Sequence, residues 1–111
     1  MDCIFCKIIN KEQPADIIYE DEKFVVFKDI KPSAPIHLLI VPKFHIASVN
    51  DLNKKHKNLI SDLILLAKRM AKEQGIEDGY KLSFNVGRKG GQLVDHLHLH
   101  LLGGWRQVKF E

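Results

Sequence analysis

The chain has 111 residues, 45% of them hydrophobic, and a formal net charge of +3. That length predicts one domain over residues 1–111, with enough apolar content for a core. No apolar run approaches the roughly 20 residues of a membrane span, and the basic residues are too dispersed for a nucleic-acid footprint.

The segment Met1-Asp2-Cys3 has no basic region followed by an apolar stretch, so no signal peptide is read and the expected location is the cytoplasm. In a reducing compartment, Cys3 and Cys6 read as metal ligands or buried thiols and not as a disulfide. From Cys3 to Asn10, Ile4, Phe5, Ile8 and Ile9 suit a short helix, which Pro14 stops. Ile17 to Tyr19 and Phe24 to Phe27 are rich in β-formers and flank the polar Glu20-Asp21-Glu22-Lys23, the pattern of a hairpin. Ile36 to Val41 reads as a buried strand ending at Pro42. Lys54-Lys55-His56-Lys57 reads as a solvated helix face.

Leu59, Leu63, Leu66 and Met70 fall at helical spacing, and Ile60, Ile64 and Ala67 widen the stripe. Asn53 is the expected N-cap and Gly75 the expected stop. Tyr80 to Val86 alternates as a half-buried strand, Gly87 to Gly91 is a loop, and Asp95 to Leu102 is the last strand. The order predicts an α+β fold: an antiparallel five-stranded sheet, one long helix and a short N-terminal helix.

The last strand carries the chemistry. Alternation sends Leu97, Leu99 and Leu101 to one face as core, and His96, His98 and His100 to the other. A solvent face has no need of histidine, since threonine, lysine or glutamate serves equally well. Imidazole can ligate a metal, move a proton or attack an electrophile. A nucleophilic role needs donors for an anion nearby. Gly87 to Gly91, between Asn85 and Gln92, is the expected phosphate cradle, with glycine backbone N–H groups and two side-chain amides as donors.

His96-Leu97-His98-Leu99-His100-Leu101-Leu102 satisfies the alternating signature of the histidine triad family. Further stretches resemble its Hint-like branch: Cys3 to Ile9, Phe27-Lys28-Asp29-Ile30, Ala34-Pro35-Ile36-His37, Val41 to Ile46, and Asn85 through Gly91-Gln92. The resemblance covers roughly Asp2 to Gly104 and implies the HIT-like fold and a homodimer. It implies hydrolysis of nucleoside 5′-phosphoramidates or related AMP conjugates, with a purine nucleotide as ligand; composition adds the expectation of no nucleic-acid and no membrane partner. By the same resemblance, His98 is the nucleophile that forms a nucleotidyl-histidine intermediate. His100 and Asn85 contact phosphate, with the Gly91 backbone and Gln92 nearby. Asp29 holds the ribose hydroxyls, and Phe5, Ile8, Phe27 and Ile30 surround the base. His45 is the fourth histidine supporting the triad. Cys3, Cys6, His45 and His96 match a structural zinc site found in some members, and the chemistry itself requires no cofactor.

The chain departs from the family at three places. Leu93 stands where the family usually has a serine or threonine that contacts the leaving group. The tail from Trp105 to Glu111 lacks the branch's Trp-Pro-Pro ending, and Gln13 replaces an apolar residue at the edge of the base pocket. Three other readings stand beside the hydrolase: a dinucleoside polyphosphate hydrolase or nucleotidyltransferase of the same superfamily, a non-catalytic purine nucleotide-binding protein, and a metalloenzyme using all three histidines.

Overall fold

The computed structural model describes residues 3–106. The tail departure beyond Arg106 therefore lies outside the described residues. A short helix α1 (Ile4–Ile9) precedes β1 (Ile17–Glu20), β2 (Phe24–Lys28), β3 (Ile36–Pro42), a long helix α2 (Lys57–Glu73), β4 (Tyr80–Ser83) and β5 (Leu99–Gly103). The strands form one antiparallel sheet in the order β1-β2-β3-β5-β4. The hairpin turn is held by Asp21, whose Oδ1 accepts from the N–H of Lys23 at 2.7 Å and of Phe24 at 2.8 Å. No described helix is long and apolar enough to cross a membrane.

Each face of the sheet has its own cover. Phe24, Val26, Leu38, Ile40, Leu99 and Leu101 pack under Leu63, Leu66, Ala67, Met70 and Ala71 of α2. The opposite face presents Val25, Phe27, Leu39 and Val41 to Cys3, Phe5 and Ile8 of the N-terminal segment. Burying one such aliphatic or aromatic side chain contributes roughly 1.5–3 kcal/mol, so the α2 face carries most of the core. Leu97, Leu99 and Leu101 are buried, as the alternation predicts.

Three boundaries differ from the sequence reading. Asn53 caps the 3-10 turn Lys54–His56, and α2 starts only at Lys57 with no side-chain cap. The turn uses Asn53 because His56 Nδ1 accepts the Asn53 N–H at 3.0 Å, closing a reciprocal box. The stop at Gly75 holds: its φ is +74°, its N–H reaches Lys72 O and the Ile76 N–H reaches Ala71 O, the paired bonds of a Schellman ending.

The last two strands are shorter than predicted. β4 ends at Ser83 instead of Val86, and β5 begins at Leu99 instead of Asp95. Before Leu99 the backbone leaves the ladder. The Leu97 N–H goes to Ile46 O at 2.6 Å, and the Pro42 and His96 carbonyls accept from histidine rings. His96 and His98 therefore stand on an irregular segment, and only His100 lies within β5.

Candidate functional site

The three triad histidines divide between two places. His96 is completely buried and joins Cys3, Cys6 and His45 in a group whose ligand atoms all lie within 4.8 Å of one another. Cys3 Sγ is 3.3 Å from His96 Nδ1, Cys6 Sγ is 3.4 Å from His45 Nδ1 and 3.6 Å from His96 Nδ1, and the two Nδ1 atoms are 3.1 Å apart. His96 Nε2 donates to Pro42 O at 2.7 Å. That bond puts the ring proton on Nε2 and aims the Nδ1 lone pair at the cysteines, as a ring oriented for metal binding requires. Burial holds the imidazole pKa of His96 down. Burial, then the hydrogen bond and charge of Cys3, push the Cys6 thiol up to about 11. A tetrahedral ion with ordinary Zn–N and Zn–S lengths spaces its ligands by roughly 3.3–3.7 Å. Two thiols and two Nδ1 atoms at these spacings fit such an ion.

His98 and His100 instead face a cavity of about 490 Å³. Phe5, Ile8 and Phe27 form its apolar wall, Asp29 and Asn85 its polar side. Ile30 and Gly91 also line it, Ile30 being almost wholly exposed. His98 Nδ1 donates to the His96 carbonyl at 2.7 Å, which leaves the Nε2 lone pair unprotonated. The Phe5 ring stands edge-on to His98 at 5.0 Å and 89°. Burial lowers the His98 pKa, with the Asp29 charge and the His96 carbonyl opposing it, so the neutral ring is favoured.

His100 is oriented by a residue absent from the sequence-predicted site. The Ser33 N–H donates to His37 Nδ1 at 3.0 Å, so His37 carries its proton on Nε2. That Nε2–H faces His100 Nδ1 at 2.9 Å, with Asp29 Oδ2 at 3.4 Å. His100 must then accept on Nδ1 and carry its own proton on Nε2. Among the described residues, His100 Nε2 is the one buried side-chain polar atom with no hydrogen-bond partner. It is a donor awaiting an acceptor. Burial, then the neighbouring His98 and His37, lower the His100 pKa to about 4. Asp29, His37 and His100 also satisfy a metal-ligand distance criterion. The Ser33 bond argues for a relay there instead, because a metal on His37 Nε2 would have to displace the proton that this bond fixes. A sequence signal for His37 did exist: it is the one polar residue between Ile36 and Pro42, and it shares a face with Leu39 and Val41.

The glycine loop differs from the expected cradle of free donors. The N–H groups of Gly90, Gly91 and Gln92 donate to carbonyls within the loop, and the Gly87 N–H donates to Gln92 Oε1. Gly91, at φ +89°, supplies a left-handed turn beside Asn85. Gln92 does not line the cavity. Its buried amide donates to Ala47 O and Val94 O and so braces the loop. Arg88 adds a two-pronged pair to Asp95, at 2.8 and 3.0 Å. His45 touches His96 but lies in neither the His98 cavity nor the His37–His100 contact. Leu93 is 80% exposed at the cavity rim, between that cavity and a second of about 380 Å³.

The chain is similar to known proteins over nearly all of its length. The profile described as "Scavenger mRNA decapping enzyme C-term binding" matches residues 2–110. The chain is 48% identical over 102 residues to a purine nucleoside phosphoramidase of Escherichia coli, covering 91% of this chain and 86% of that protein. It superposes on a HIT family hydrolase from Legionella pneumophila with a TM-score of 0.93 at 47% identity, covering 96% of each chain. A zinc-bound histidine triad protein from Mycobacterium smegmatis is similar at a TM-score of 0.82 and 33% identity, covering 100% of this chain and 81% of that one.

Proposed function

Because the chain belongs to the histidine triad family, we propose that it is a nucleotide hydrolase that cleaves purine nucleoside 5′-phosphoramidates or related AMP conjugates through a covalent intermediate on His98. The observation that carries the reading is the pairing of protonation states at the cavity. His98 presents an Nε2 lone pair, and beside it His100 presents an unpartnered Nε2–H. One is a nucleophile and the other a donor for phosphoryl oxygen.

In this mechanism His98 Nε2 attacks the α-phosphorus. The P–N bond breaks as the Nε2–P bond forms, and the amine leaves with one proton taken up from solvent. Positive charge that develops on the His98 ring is met by the His96 carbonyl on its Nδ1–H side. Water then attacks phosphorus, the Nε2–P bond breaks, and AMP departs as the borrowed proton returns. His100 Nε2–H and the Asn85 amide hold the non-bridging oxygens throughout. Asp29 accepts the ribose hydroxyls, with Oδ1 already anchored by the Lys31 N–H at 2.8 Å. Phe5, Ile8 and Phe27 enclose the base. The Cys3, Cys6, His45 and His96 set would hold a zinc ion whose contribution is structural, cross-linking α1 to the segment before β5. Among the described residues β4 is one of the two edge strands of the sheet and exposes Leu82, which supports it as the proposed seam of a homodimer. Sedimentation would read a dimer mass.

The test is release of AMP from adenosine 5′-phosphoramidate, run beside Ap₄A as competing substrate. Faster turnover of the phosphoramidate supports the reading, and faster turnover of Ap₄A moves the chain to the dinucleoside polyphosphate hydrolases. Leu93 favours one further reading, a nucleotide-binding protein without turnover, because an exposed leucine at the rim offers a leaving group no hydrogen bond. AMP binding without hydrolysis of either substrate would establish it.

A further inference from the structure

The Cys/His group and the nucleotide cavity share one small piece of chain. α1 has only six residues, and they serve two sites. Cys3, at its N-cap, and Cys6 supply two of the four donors. Ile4, Phe5 and Ile8 line the cavity. Phe5 lies between the two sites: its ring centroid is 5.0 Å from His98, 5.3 Å from Phe27 and 6.0 Å from His96.

A helix this short does not hold itself together in water. The backbone bonds that flank it stay local: Lys7 to Cys3, Asn10 to Cys6, Lys11 to Ile8 and Glu12 to Lys7. Among the described residues, three kinds of contact fasten the segment to the sheet. Phe5 and Ile8 are buried, Lys11 pairs with Glu20 at the surface, and the cysteines meet His45 and His96. The surface pair is worth little. Thiol–imidazole contacts without an ion are weak hydrogen bonds, whereas metal ligation through the same atoms is a strong cross-link.

We infer that metal occupancy of the Cys3–Cys6–His45–His96 group and nucleotide binding in the His98 cavity are thermodynamically linked through α1. With the ion in place, α1 is locked and its apolar wall stands ready against His98. Without it, the nucleotide must order that wall as it binds, and its affinity falls. Linkage is reciprocal, so bound nucleotide strengthens metal binding by the same factor. The inference rests on the nucleotide reading above, and coupling of this kind is typically about 5–150-fold.

The experiment uses the whole chain, loaded with zinc or stripped by a chelator. Calorimetry gives the AMP affinity of each form, and a colorimetric chelator gives the zinc affinity with and without saturating AMP. AMP binding at least about tenfold weaker in the stripped form, with a matching rise in zinc affinity when AMP is bound, is the expected result. Amide hydrogen exchange on the stripped form should show lost protection at residues 4–12 and retained protection in α2 and β3. Equal AMP affinity in the two forms overturns the linkage alone. Protection lost in α2 and β3 as well overturns it too, because the ion then holds the whole fold. A chain that takes up no zinc likewise overturns it. No AMP binding in either form overturns the nucleotide reading and the linkage with it.

Discussion

His96 and His100 sit four positions apart on one segment, yet their rings are prepared for opposite tasks. At His96 a backbone carbonyl takes the Nε2 proton and leaves a lone pair pointing at two sulfurs. At His100 the constraint comes from a backbone N–H. Ser33 donates to His37, His37 donates to His100, and a proton is left pointing at the cavity. Both rings carry the proton on Nε2, and the side chain becomes a ligand or a donor according to which of its nitrogens the anchoring partner takes and which it leaves facing the site. Residue type alone does not distinguish the two regions; the second partner of each ring does.

The comparison breaks most severely at the residue between them. His98→Ala should lower AMP release from the phosphoramidate by about 10,000-fold or more, as loss of a nucleophile does, while AMP binding by calorimetry survives. Retained turnover would remove His98 from its role.

The relay comes next. His37→Ala leaves His100 Nδ1 without its donor, and kcat should fall roughly 10–100-fold, the usual cost of losing an orienting partner. His37→Gln, whose amide can donate to Nδ1, should recover part of that loss. Equal rates for the two variants would show that the donor on Nδ1 is irrelevant.

The pH dependence of stability sharpens the contrast further. Burial holds the His100 pKa near 4, below its ordinary 6.5, so the ring stays neutral in the fold and protonates first in the unfolded chain. Its contribution is therefore intact above about pH 6.5 and lost as pH falls to about 4. Discounted for the partial exposure of the ring, the loss is on the order of 2 kcal/mol. Urea unfolding of wild type and His100→Asn across that window should converge toward low pH, and parallel curves would contradict the assignment.

The smallest effect is expected at the rim. Leu93→Ser restores a hydroxyl beside the leaving group and should raise phosphoramidate turnover by a few-fold, on the scale of one exposed hydrogen bond. A decrease would mean that the leucine itself grips the substrate.

What was legible in the sequence follows the strength of the local pattern. Leu97, Leu99 and Leu101 declared the core through period two, and the α2 stripe and Gly75 declared the long helix and its end. Asp29, Phe5, Ile8 and Phe27 are expected through resemblance and Asn85 also from its place before the glycine loop, and the fold brings them to one cavity. What escaped depends on tertiary hydrogen bonds. His37 hid inside an apolar strand, since only strand pairing brings it against His100. The glycine loop looked like an open donor cradle because composition does not reveal that its N–H groups close on its own carbonyls. Asn53 looked like the cap of α2 because a 3-10 turn and a helix share the same opening chemistry.

The segment from Leu97 to Leu101 has a consequence for anyone who wishes to redesign the molecule. Leu99 and Leu101 pack against α2 while His98 and His100 face the cavity, so one ribbon of backbone has a scaffold on one side and a workshop on the other. The α2 side can be recomposed for endurance, by filling or re-sorting Leu63, Leu66 and Met70 against the sheet, without touching a reacting atom. The opposite side can be given new ligands to recognise while the scaffold keeps its shape. Traffic between the two passes through the sheet: β2 and β3 also send alternate residues to α2 and to the cavity, and in β5 a leucine replaced too generously would push its neighbouring histidines.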